Sequence, residues 1–161
     1  MRKLYQIIFK LLNQIFRVPM WGEYMSSEGK QKAFELVKSQ NTSFEYLITD
    51  ALKFKTTKKF DALGLIYAHF PSEIRKGVHR HLLSFLNPGG IVIFEAFSKS
   101  QLENSSGGPK NESMLFSVEE IKKEFCSLHF EVLEEEEIEL QEGTYHKGKA
   151  SVIRFVGRKI K

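Results

Sequence analysis

The residues that most constrain this chain lie between Lys59 and Phe97, where two short apolar runs flank one helix-length segment and one abrupt stop. Phe60 to Tyr67 carries Ala62, Leu63, Leu65 and Ile66 after a single acid, Asp61. A run that short and that apolar reads as a strand covered on both faces by helices. Pro71 suits the first helical turn, where its missing N–H costs nothing, and Glu73 complements the positive end of a helix dipole. Ile74, Val78, Leu82, Phe85 and Leu86 recur at three- and four-residue spacing, whereas Arg75, Lys76, Arg80 and Ser84 fall mostly off that stripe. One face of the helix is therefore expected to be buried and the other wet. Asn87-Pro88-Gly89-Gly90 is expected to stop the helix, and Ile91 to Phe97 reads as a second apolar strand with one acid, Glu95. The result is a βαβ unit, which closes right-handed with its strands parallel. The loop Ala68-His69-Phe70 then opens at the carboxyl edge, where ligands of open α/β sheets sit.

The same order of parts resembles the class I S-adenosylmethionine-dependent methyltransferases: Phe-Asp-Ala opening a strand, a His-x-Pro loop, a basic helix, Asn-Pro-Gly-Gly and Ile-Val-Ile-Phe-Glu-Ala-Phe. More narrowly it is similar to their small, tellurite-resistance-like branch. The resemblance covers Ser26 to Lys161 and implies an α/β, Rossmann-like sheet, mostly parallel with an antiparallel C-terminal hairpin, that uses S-adenosylmethionine. Residues 1–25 are then a non-family amphipathic segment, and 26–161 a partial methyltransferase domain. Ahead of Ser26 the resemblance implies a strand, a turn of the type G-x-G-x-G, a helix and a second strand ending in an acid that grips the ribose. Only Gly22 and Gly29 precede residue 60, and the position of that acid is Tyr24. Glu23 stands one residue too early, and a one-residue slip along a strand points the carboxylate to the other face. An N-terminally truncated sheet is the expectation.

At 161 residues the chain is expected to be one domain with a real core. Its 24 basic and 20 acidic residues leave a small positive charge spread along the chain, which favours solubility and gives no argument for nucleic acid. Cys126 is the only cysteine, so neither a disulfide framework nor a cysteine metal site is expected, and the cytoplasm is the default compartment. Between Met1 and Met20, Leu4, Ile7, Ile8, Leu11, Leu12, Ile15 and Phe16 make an apolar face rimmed by Arg2, Lys3, Lys10 and Arg17. Gln6, Asn13 and Gln14 interrupt it and Pro19 ends it, so no stable membrane insertion is expected. An amphipathic helix docking on its own domain or a partner and an interfacial membrane helix both fit.

Ser26 or Ser27 reads as the N-cap of a helix that buries Ala33, Leu36 and Val37. Phe44 to Thr49 reads as a short strand. The resemblance implies that Asp50 accepts a hydrogen bond from the cofactor's adenine amino group and that Ala51 touches the ring; the residues themselves fit an Asx-type turn as well. Lys53, Lys55, Lys58 and Lys59 are expected to be solvated. By resemblance Ile66 and Tyr67 line the methyl-transfer site. His69 is open to three readings: a loop residue capping the following helix, a substrate contact, or a proton acceptor. His79 and His81 lie two apart on a helix and no HExxH spacing exists, so no metal is expected.

Ser98 to Ser113, with Gly107-Gly108-Pro109, is long enough to act as a lid. Ser117-x-x-Glu120 reads as a capping box that opens a short helix through Ile121 and Phe125. Phe130 to Leu140 reads as a strand whose acid run, Glu134 to Glu137, makes a solvated edge. Lys149 to Val156 reads as an antiparallel last strand, with Arg158 to Lys161 as a basic tail. Between the two, Glu142-Gly143-Thr144-Tyr145-His146-Lys147-Gly148 resembles the family's Glu-Gly-x-x-His-x-Gly hairpin, which implies an acceptor-side cluster of His146, Tyr145 and Glu95. A hairpin whose glycines only set the backbone is the other reading.

The chemistry implied is in-line transfer of a methyl group from a sulfonium to a small-molecule nucleophile, such as a thiol or a reduced chalcogen. The cofactor carries the reactivity and the protein positions and desolvates, so no catalytic dyad is required; His69 and His146 are the catalytic candidates. The alternative is a non-catalytic remnant acting as an interaction or membrane-associated protein. Two strands missing from the middle of the sheet leave unpaired edges, from which poor solubility or a homodimer is expected.

Overall fold

The computed structural model describes residues 49–142 and 146–160, together with Gln31, Glu35 and Lys38, and for Glu142 and His146 the backbone. The expected N-terminal amphipathic helix, the positions Ala33, Leu36 and Val37, the strand from Phe44 up to residue 48, and Tyr145 lie outside the described residues. The chain divides into two compact units, Met1–Phe54 and Lys55–Lys161. In the first, Gln31, Glu35 and Lys38 are helical and exposed, and Gln31 Nε2 donates to Glu35 Oε1 at 3.1 Å across one turn.

The second unit runs β1 (Phe60–Ile66), α1 (Ser72–Leu83), β2 (Leu86–Phe97), two short 3-10 turns (Lys99–Glu103 and Glu112–Met114), α2 (Val118–Glu124), β3 (Leu128–Glu142) and β4 (His146–Lys159). The sheet order is β1-β2-β4-β3. β1 and β2 are parallel, as a βαβ crossover demands, and β4 is inserted antiparallel between β2 and β3. Among the described residues the sheet is therefore not mostly parallel: one pairing is parallel and two are antiparallel. The connection between β3 and β4, residues 143–145, is hairpin-length, and only antiparallel strands can be joined so tightly.

α1 ends before the Pro-Gly-Gly sequence reaches it. The Ser84 N–H already closes onto the carbonyls of Arg80 and His81 at 3.2 and 3.1 Å, and Leu86 opens β2. Asn87-Pro88-Gly89-Gly90 instead lies within β2, where the register against β1 slips between Phe60↔Leu86 and Ala62↔Ile91. Pro and a Gly at φ +78 (Gly89) suit such a bulge, since the ladder donor is dispensable there. The strand starts early because Leu86 is itself core, almost fully buried. β1 also differs from expectation: Leu65 is its one buried residue, while Asp61, Ala62 and Ile66 are exposed. Among the described residues β1 ends the sheet, with a neighbour on one side only, which explains its partial burial.

One sheet face carries the aromatic core. Phe94 of β2 and Phe155 of β4 are register partners and stack at 4.8 Å with planes 7° apart. Phe125 meets Phe155 edge-on at 4.9 Å and Phe116 meets Phe94 edge-on at 5.1 Å. Val78 and Leu82 of α1 and Ile121 of α2 are buried with them. Arg75 of α1, expected on the wet face, is also buried, because its guanidinium is matched by Glu124 and by backbone carbonyls. Arg158 and Lys159, expected in a tail, lie in β4: Lys159 Nζ caps the end of α1 by donating to Leu83 O at 3.1 Å and to Leu86 O at 2.8 Å.

Two local devices complete the frame. Ser117 Oγ accepts from the Glu120 N–H at 3.2 Å and Glu120 Oε2 accepts from the Ser117 N–H at 3.0 Å, the reciprocal capping box of α2. Ser117→Ala is expected to cost about 1 kcal/mol, read as a lower urea midpoint at unchanged m. The segment expected as a lid is stitched down. Gln101 Nε2 donates to Ser106 Oγ and Gly107 O, both at 3.0 Å, and Gln101 Oε1 accepts from the Ser151 N–H at 2.8 Å. Gly108, at φ +85, lies so close to Phe97 that an added Cβ would stand 2.7 Å from its ring. The Gly pair serves as a packed turn.

Candidate functional site

The carboxyl edge of β1 and β2 gathers four of the expected site residues. Ile66, 44% exposed, closes β1 beside Glu95 in register. Tyr67 leaves the strand at φ +49, a left-handed backbone that a non-glycine residue seldom adopts, and its N–H donates to Glu95 O at 2.7 Å. The His69 N–H then closes a tight turn onto Tyr67 O at 3.1 Å. The Tyr67 ring packs on Phe97 at 4.9 Å and the His69 ring stacks on Phe97 at 5.6 Å. Phe97, Leu115, Leu140, Ala150 and Val152 form the apolar cluster against which Tyr67 rests.

His69 is held by both ring nitrogens. Nδ1 donates to Met114 O at 2.8 Å, so Nε2 is the bare acceptor that faces the Phe97 N–H at 3.4 Å. Burial pushes its pKa down; the Met114 bond opposes this and the Arg75 charge adds to it. α1 has no side-chain N-cap, so His69 clamps a distant loop instead of capping the helix that follows it.

The Glu95 carboxylate is gripped by Arg154 Nε at 2.5 Å, and Arg154 also bonds Glu136. Glu134 stands opposite Arg154 in the ladder. Within the acid run read as a solvated edge, Glu136 is therefore half-buried and paired, while Glu134, Glu135 and Glu137 remain exposed. Arg154 escaped the sequence reading, yet it left a trace. It is the one cation in the apolar run Val152-Ile153-Arg154-Phe155, as Glu95 is the one acid in its own strand.

A second charged group was missed altogether. On α1, Arg75 and His79 share a face at i, i+4; on α2, Glu120 and Glu124 do the same. Arg75 Nε donates to Glu124 Oε1 at 2.7 Å and Nη1 to Leu115 O at 2.8 Å, and its guanidinium lies 4.4 Å from the centre of the Phe116 ring. His79 Nδ1 bonds Glu124 Oε2 at 2.8 Å. Burial works to raise the Glu124 pKa, but hydrogen bonds from His79 and Arg75 outweigh it and hold the carboxylate below its ordinary range. His79 is pushed down chiefly by burial, against the pull of Glu124.

Asp50, in the first unit, adopts the Asx turn: Oδ1 accepts from the Leu52 N–H at 2.9 Å, and its carbonyl accepts from Lys53 and Phe54, both at 3.0 Å. Its Oδ2 lies 4.0 Å from Lys53 Nζ, and Ala51 is buried. His146 opens β4 opposite Glu142. Val152 is the β4 residue opposite Phe97, so His146 lies six residues further along the strand, about 20 Å at ~3.3 Å per residue. Among the described residues no cluster of three or more His, Cys, Asp or Glu is placed to hold a metal, and no helix is long and apolar enough to cross a membrane.

No protein-family model matches the sequence, and no curated protein matches it at a significant level. Solved structures do. TehB from Haemophilus influenzae superposes with a TM-score of 0.64 at 16% identity over 83% of this chain and 47% of its own. The N-methyltransferase NodS from Bradyrhizobium japonicum WM9, in complex with S-adenosyl-L-homocysteine, gives 0.60 at 14% identity over 84% of this chain and 64% of its own. Magnesium protoporphyrin IX methyltransferase (ChlM) from Synechocystis PCC 6803, with bound SAH, gives 0.57 at 15% identity over 85% and 60%. The fold is that of class I methyltransferases. The chain spans about half the length of TehB. Within the methyltransferase fold, Ile66, Tyr67, His69 and Glu95 share the carboxyl edge of one parallel strand pair, and the antiparallel hairpin of β3 and β4 completes the sheet.

Proposed function

We propose that the chain binds S-adenosylmethionine at the carboxyl edge of β1 and takes part in methyl transfer to a small molecule with a soft nucleophile, a thiol or a reduced chalcogen. The observation that carries this reading is Tyr67: a left-handed backbone at the end of a parallel strand, in a fold whose solved relatives NodS and ChlM contain S-adenosylhomocysteine. The residues fit such a cofactor in kind. Ile66 supplies exposed apolar surface and Tyr67 the turn proposed to border the transferred methyl; for the first unit taken by itself, Asp50 Oδ2 is proposed as an acceptor for the adenine amino group.

When bound, the cofactor supplies an activated methyl on a sulfonium; the chain's part is to hold both reactants and keep water out. Glu95, locked to Arg154, sets charge beside the edge without free swing. The test is incubation of the full chain with methyl-labelled S-adenosylmethionine and small thiols, selenide or telluride. Labelled methylated product that disappears in Tyr67→Ala supports the reading. Absence of product from every acceptor, under conditions where the cofactor is bound, contradicts methyl transfer by this chain.

A further inference from the structure

Three consecutive carbonyls, those of Ser113, Met114 and Leu115, are each taken by a side chain from far away in sequence. Arg75 Nη1 donates to Ser113 O at 3.4 Å and to Leu115 O at 2.8 Å, and His69 Nδ1 takes Met114 O between them at 2.8 Å. The strap so held, residues 112–116, is tied to β2 at its far end by the Phe116 N–H to Phe97 O at 3.3 Å. Leu115 is fully buried in the apolar cluster that supports Tyr67. We propose that His69 is a positioning residue that holds this strap against the Tyr67 edge only while its ring is neutral, so that proton uptake releases the strap.

The polarity of the two bonds demands the neutral form. Nδ1 must carry its proton to donate to a carbonyl, and Nε2 must be bare to accept from the Phe97 N–H at 3.4 Å. Protonation would aim one N–H at another and leave a cation buried near Arg75. The charged groups around it offer no compensation. Arg75 on α1 is already satisfied by Glu124 and Glu120 of α2, at 2.6 and 3.6 Å. Lys99 on the intervening loop is bound to Glu120 and Glu112, and Glu95 of β2 is bound to Arg154 of β4. Among the described residues no carboxylate is bonded to the His69 ring, in contrast to His79, whose Nδ1 has Glu124 at 2.8 Å.

The sign follows from burial, which lowers the ring's pKa in the closed state. The closed strap is favoured above the ordinary histidine value of about 6.5 and loses ground as pH falls through it, because the open state binds the proton more readily. The opening constant is then expected to rise about tenfold per pH unit below that value, until the lowered pKa is reached.

Amide hydrogen exchange of the full chain between about pH 8 and 5, divided by intrinsic rates, tests this on peptides covering 112–116 and, as an internal reference, on β4. The expected result is strap exchange that rises on acidification while β4 stays protected. His69→Gln keeps a donor and an acceptor without titrating, so its strap exchange should not respond to pH. His69→Phe keeps the stacking and should be open throughout. A strap open at every pH in His69→Gln as well also supports the assignment, since the pH response has gone with the ring. A wild-type strap indifferent to pH, a response that survives in His69→Gln and so belongs to His79 or Glu124, or β4 opening in parallel would overturn it. The inference rests on the proposed function only for the role of the Tyr67 edge. Exchange needs no cofactor, so failure to bind S-adenosylmethionine would leave the strap result standing, and the reverse holds too.

Discussion

Arg75→Ala should destabilise the protein by about 3–5 kcal/mol, the range for removing one partner of a buried ion pair. Arg75 is only 4% exposed, and Nη2 stands 2.6 Å from Glu124 Oε1 while Nη1 serves the Leu115 carbonyl at 2.8 Å. Without it, Glu124 keeps His79 as its remaining described hydrogen-bond partner, and two carbonyls of the 112–116 strap lose their donor. The damage therefore comes from stranded polar groups more than from lost attraction. Lys149→Ala is the control: its pair with Glu137 is 3.7 Å long and well exposed, so about 0–1 kcal/mol is expected there. Urea unfolding reads both. A loss under about 1 kcal/mol for Arg75→Ala would place its guanidinium in solvent and contradict the described packing.

Phe155→Ala should cost a similar amount, about 3–5 kcal/mol, through lost transfer energy and the cavity left behind. Phe155 is 1% exposed on β4, which is flanked on both sides by strands, so the site cannot collapse easily. It contacts Phe94 at 4.8 Å, Phe125 at 4.9 Å and Phe130 at 5.3 Å, uniting β2, β3, β4 and the end of α2. A double-mutant cycle with Phe94→Leu should show coupling of about 0.5–1.5 kcal/mol for the stacked pair. A Phe155→Ala midpoint close to wild type would mean that the aromatic cluster is not the centre of the fold.

What could be read without coordinates was whatever the chain writes locally. β1 and the last strand follow from short apolar runs, α1 from three- and four-residue periodicity, and the Ser117–Glu120 capping box from a three-residue spacing; each signal lies within a few residues of the structure it specifies. The parallel βαβ pairing followed from the handedness of crossovers, and the carboxyl edge with it. What escaped depends on partners far along the chain. Arg75 looked solvent-facing because its partner Glu124 is 49 residues away, and Glu95 looked available because Arg154 is 59 residues away. His69 had three readings until Met114, 45 residues on, fixed its tautomer. The early start of β2 was hidden for another reason. Pro-Gly-Gly is an ordinary helix stop, and only the pairing of Leu86 with Phe60 shows that it serves here as a bulge inside a strand.

Calorimetric titration of the full chain with S-adenosylhomocysteine tests the central claim most directly. The expected result is a saturable heat with Kd between about 10 µM and 1 mM, equivalent to about −7 to −4 kcal/mol. The heat should vanish in Ile66→Asp, a change at an exposed strand end that leaves the circular dichroism spectrum unaltered. No heat at several times about 1 mM ligand, or undiminished binding by Ile66→Asp, would contradict the assignment of this edge to the cofactor.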